Sequence, residues 1–181
     1  MTDDPHSRAS LAAALGVERM HPPEFVAFFG GLPRRVTALA LGAQALDAKG
    51  DGEASGPHGQ PPTGDEAEAE PTVDPTDELV EIADAVDLLA ERTGNIGLAS
   101  DTDTGAAPID LSVLDQTSPE IAILLRRIEA SSVDVSRRIA GLSSSAWNSN
   151  PGLIDHVRSA VVETVGPIRA VERRIQRHSD D

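Results

Sequence analysis

The chain has 181 residues and a formal net charge of −15, a length that suits one domain or one domain with an insert and a charge that argues against nucleic acid and anionic membrane surfaces as partners. It contains no cysteine, which excludes disulfides, thiolate zinc sites, iron–sulfur clusters and cysteine nucleophiles. Phe25, Phe28, Phe29 and Trp147 are the only aromatic residues, so the core has to be built from Leu, Ile, Val and Ala, a composition that favours helices.

The N-terminus, Met1 to His6, lacks the basic start and apolar stretch of a signal peptide. No apolar run reaches the ~20 residues that span a bilayer, so the expected location is cytoplasmic. Residues 1–21 read as an N-terminal extension with a short helix over Leu11 to Val17. Pro22 and Pro23 open the next element, where a first-turn proline is tolerated. Phe25, Phe28, Phe29, Leu32, Val36, Leu39 and Ala43 then recur at steps of three and four, one apolar helix face. Gly30, Gly31 and Pro33 are expected to bend or break that helix midway.

Residues 47–75 alternate glycine with proline and carry the acidic run Asp65, Glu66, Glu68 and Glu70. So little apolar surface predicts a disordered acidic insert, with an acidic docking segment as the functional alternative. A second long helix is expected from Thr76 or Asp77 to Gly94, with Leu79, Ile82, Ala83, Val86, Leu89 and Ala90 as its stripe. Residues 95–117 read as a long polar connection without a helix, of the kind that joins helices that are not antiparallel neighbours. Ser118, Pro119 and Glu120 give the third helix a cap, a first-position proline and an acid at the positive dipole end. Its stripe is Ile121, Leu124, Leu125, Ile128, Val135, Ile139 and Leu142, and Gly141 with Ser143–Ser145 ends it in a loop. The fourth starts near Pro151, with Ile154, Val157, Val161, Val165, Ile168, Val171 and Ile175 as its stripe. The fold class is therefore all-α: a four-helix bundle over 22–181, interrupted by the insert, with a long crossover between helices two and three.

The segment Asp77-Glu78-Leu79-Val80-Glu81-Ile82-Ala83-Asp84-Ala85-Val86 resembles the second helix of the DinB-like family. Ser118-Pro119-Glu120-Ile121 is similar to the start of that family's third helix, and Ala140-Gly141-Leu142-Ser143-Ser144-Ser145-Ala146-Trp147 to its turn before a tryptophan. The resemblance spans residues 22–177 and implies a four-helix bundle in which three histidines, one in helix two and a pair in helix four, bind a divalent metal for transferase chemistry with low-molecular-weight thiols. Here the helix-two histidine falls on Glu81 or Ile82, and the helix-four pair on Glu163 and Pro167 or on Thr164 and Ile168. None is histidine, so the expectation is a divergent member whose metal site is lost and that needs no cofactor. Gly166-Pro167 reads instead as a helix kink.

Four residues remain as a candidate pocket: Glu81, His156, Glu163 and Trp147. Paired carboxylates at Glu81 and Glu163 would share a proton or hold a cation, against the simpler reading of two solvated glutamates. His156 would serve as a lone base or ligand contact, although it stands two turns, about 10 Å, from Glu163 along the helix axis. Trp147 would stack on a ligand, or more simply close the end of the bundle. His6, His58 and His178 fall in tails or the insert, and the arginine pairs read as answers to nearby carboxylates. The function expected is that of a metal-free small-molecule-binding or accessory protein, with a small ligand or a second copy as partner. The alternative is a thiol-using transferase or isomerase with a rearranged site; a third reading, an unrelated interaction module, predicts helices two and three as antiparallel neighbours.

Overall fold

A computed structural model describes residues 5–50, 75–94 and 108–179, and all of the regular structure among them is helical. In chain order the helices are α1 (Pro5–Leu15), α2 (Pro22–Gly50), α3 (Pro75–Gly94), α4 (Ser112–Thr117), α5 (Pro119–Ala140), α6 (Ser144–Asn148) and α7 (Pro151–Ser179), with a single 3-10 turn at Val17–Arg19 after α1. The all-α class is thus observed.

The apolar stripes of α3, α5 and α7 are buried as their spacing requires. Leu79, Ile82, Val86 and Leu89 meet Ile121, Leu125, Ile128 and Ile139 from α5, and Val157, Val161, Val165 and Ile168 from α7, in one core. Phe25, Phe29, Leu32, Val36 and Ala40 complete it from α2. Both α2 and α3 pack against α5 and against α7.

Cross-helix contacts give the directions. Arg127 reaches Asp84 and Asp87, Ser131 reaches Asp87, and a Cβ built on Gly94 would lie 3.3 Å from Arg138. Both helices advance together through these contacts, so α3 and α5 are parallel neighbours. The pairs Glu78–Arg174 and Arg92–His156 set α3 antiparallel to α7. Ser136 donating to the Val26 carbonyl and Gln44 donating to Ser118 set α2 antiparallel to α5. The chain therefore leaves α3 at one end of the molecule and enters α5 at the other.

Four sequence expectations are corrected. First, α2 is not broken at Gly30, Gly31 and Pro33 but runs through them and on through residues 47–50, expected in the insert. Burial of its phenylalanine face outweighs the missing Pro33 N–H, a defect of about 3 kcal/mol when nothing offsets it. Second, α4 forms inside the connection read as helix-free, because Leu111 and Leu114 are buried against the core. Third, Ser143–Ser145 is not a loop: Ser143 accepts from the Ala146 N–H and caps α6. Fourth, the cap expected at Ser118 makes no side-chain bond to its own helix; its hydroxyl accepts from Gln44 instead. Helix α7 also continues through its internal Gly166-Pro167, to Ser179, with Val165 and Ile168 buried on either side. The rest of the expected insert, residues 51–74, lies outside the described residues.

Candidate functional site

The four candidate residues do not converge. Glu81 sits exposed on the outer side of α3. His156 is exposed near the start of α7, and its Nδ1 lies 2.6 Å from Arg92 Nη1 on α3. A guanidinium only donates, so Nδ1 is the acceptor in this contact. Glu163, two turns further along α7, is half-buried; its Oε1 accepts from Ser159 at 3.0 Å and from Arg8 of α1 at 3.1 Å. On the α3–α7 register given by Glu78–Arg174 and Arg92–His156, Glu81 and Glu163 lie about 9 Å apart along the axis. They form no carboxylate pair. Trp147 is buried, 6% exposed, on α6, with its ring 5.6 Å from that of Phe25. It closes the core where α2 and α7 begin.

The metal that the DinB-like resemblance implies does not fit these residues. Its donors would come from Glu81, Glu163 and residue 167; the first faces outward, the second is held by Arg8 and Ser159, and Pro167 is buried and has no side-chain donor. Among the described residues no three of His, Asp or Glu gather at metal-binding distance. No chemical step is derived through such a metal.

One apolar recess opens between α2, α3 and α7, lined by Val36, Leu39, Leu79, Ile82, Ile168 and Val171 among others. Its volume is about 10 Å³, room for about one water. Metabolite sites are far larger, roughly 300–1,000 Å³, and no titratable group lines this one.

Among the described residues, one polar constellation escaped the sequence reading. On the outer side of the α3–α5 seam, Arg127 donates to Asp84 at 2.7 Å and to Asp87, which also accepts from the Ser131 hydroxyl. Its hydrogen bond to Asp87 leads the causes that raise the Arg127 pKa above the usual arginine value. The available signal was Asp84 and Asp87 one turn apart on a helix, which is common enough to pass unnoticed. The arginine pairs behave as expected in part: Arg35 meets Glu172, Arg126 meets Asp115, Arg138 meets Asp134 and Arg174 meets Glu78. Thr37 Oγ1 and Ser132 Oγ, also unforeseen, are buried without a partner.

Comparison with known protein-family models, curated proteins and solved structures finds no match to this chain.

Proposed function

We propose that the chain is a divergent DinB-like four-helix bundle, formed by α2, α3, α5 and α7, that works without a metal as a binding or accessory protein. The observation that carries this reading is the fate of the expected ligand positions. Glu81 points to solvent, Glu163 is committed to an arginine, and position 167 is a proline. The parallel course of α3 and α5 supports the bundle with a crossover over the unrelated interaction module, which predicts antiparallel neighbours there. A recess with room for about one water favours a protein partner over a small-molecule ligand.

The test is the metal content of untagged protein, with thermal melts in added zinc, nickel and EDTA. The expected result is no stoichiometric metal and an unchanged Tm. A ligand at a hundred times its Kd adds about 2.7 kcal/mol, or roughly 5–11 °C for a chain of this size. Stoichiometric metal, or a rise of that order, would overturn the reading.

A further inference from the structure

We propose that the outer groove between the N-terminal halves of α3 and α5 docks a basic amphipathic helix of another protein. This rests on the accessory-protein reading above and names its partner class.

Large apolar side chains stay exposed there. Val80 is 37% and Ile123 62% exposed, and Leu124 beside them is only half-buried. Asp84–Arg127 and Asp87–Ser131 set the register of the parallel pair, so one turn earlier on each helix Val80 and Ile123 stand at the same level. Two parallel helices leave a shallow groove between them, and an apolar helix face laid into it is a recurrent recognition mode.

Charge identifies the occupant. Asp77, Glu81, Asp84 and Glu120 are exposed on the same halves of the two helices, Asp77 and Asp84 one turn to either side of Val80. Against them stands Arg127, already bound to Asp84 and Asp87, while Arg126 turns away to Asp115 on α4. Asp77 and Glu120 also answer the positive ends of their helices, but Glu81 and Asp84 lie beyond the first turn, where that effect has faded. A second copy would bring the same acidic rim against itself, between two chains of net charge −15. A helix with leucines on one face and lysines or arginines around it meets apolar with apolar and carboxylate with cation. The overall charge steers it inward.

The experiment titrates the full chain into a fluorescently labelled leucine–lysine amphipathic helical peptide and reads anisotropy. Saturable binding is expected. The double variant Val80→Ser/Ile123→Ser weakens it about tenfold with Tm unchanged, whereas Leu41→Ser, an exposed apolar residue on α2, leaves it alone. Glu81→Gln/Glu120→Gln lowers affinity and flattens its salt dependence. Absence of saturable binding overturns the inference. So does equal binding to the double serine variant, or to a peptide of the same charge without leucine. A dimer in sedimentation that the serine variant dissociates overturns it too, assigning the face to a second copy. Metal content separates the two levels: a metal-free protein that ignores the peptide loses this inference alone, and a metalloprotein loses the reading beneath it.

Discussion

Ser132 and Ser136 lie one turn apart on α5, both buried, at 0% and 4% exposure. Ser136 Oγ donates to the Val26 carbonyl of α2 at 3.1 Å, whereas Ser132 Oγ has no partner. A buried hydroxyl left unsatisfied costs about 1–3 kcal/mol, and a made hydrogen bond contributes about 0.5–1.5 kcal/mol. Serine to alanine inside a helix also gains propensity, by up to roughly 0.7 kcal/mol, but both sites gain it equally. Ser132→Ala should therefore stabilise the protein by about 1–2 kcal/mol, while Ser136→Ala is neutral or destabilising by about 1 kcal/mol. The informative quantity is the difference between the two, about 2 kcal/mol, read from urea midpoints at constant slope. On a chain of this size the same difference is about 4–8 °C in Tm. Equal effects, or a destabilised Ser132→Ala, would show that the Ser132 hydroxyl is satisfied and would refute the reasoning.

Core truncation should be costly where burial is complete: Ile128→Ala, at 0% exposure, loses about 2–5 kcal/mol in chemical unfolding, while Ile123→Ala, at 62% exposure, stays within about 0.5 kcal/mol. Gly31→Ala in α2 has open space for its Cβ and should stabilise by up to about 1 kcal/mol in the same assay. Gly16→Ala should destabilise by about 1–2 kcal/mol, because φ is 63° there and an alanine is strained in that conformation. Asp110 accepts from the Ser112 N–H, which holds its carboxyl below the usual 3.8. A depressed carboxylate contributes stability above its unfolded pKa and loses it as pH falls through the folded value. Asp110→Asn should thus lower stability slightly at neutral pH, leave it unchanged well below the folded pKa, and so flatten the acid limb of a stability-against-pH curve.

What could be read from the sequence was whatever repeats at helical spacing. Leu79, Ile82, Val86 and Leu89, and their counterparts on α5 and α7, are buried because stripes of this kind have only one way to leave water. The errors came where a local signal met a tertiary one. Gly30, Gly31 and Pro33 are breakers on any local scale, yet α2 continues, since interruption would expose Phe29, Leu32 and Val36 together. Helices as short as α4 and α6 do not nucleate alone. They exist because Leu111 and Leu114, or Trp147, are held by the core, and nothing within six residues of sequence announces that.

The candidate site was less legible, for a related reason. Spacing along α7 already separates His156 from Glu163 by two turns. It could not supply the partners. Arg92 precedes His156 by 64 positions and Arg8 precedes Glu163 by 155, and each joins its partner only through packing. In an acidic chain with few cations, placing arginine beside these two side chains withdraws them from other ligands. A rearranged active site would need the reverse, a donor kept free and turned toward a cavity. The cavity here has room for about one water and apolar walls, and the polar groups stand on the outside, at the α3–α5 seam. On the proposed reading recognition belongs to the surface, where the exposed Val80 and Ile123 share the N-terminal halves of α3 and α5 with the exposed carboxylates Asp77, Glu81 and Glu120.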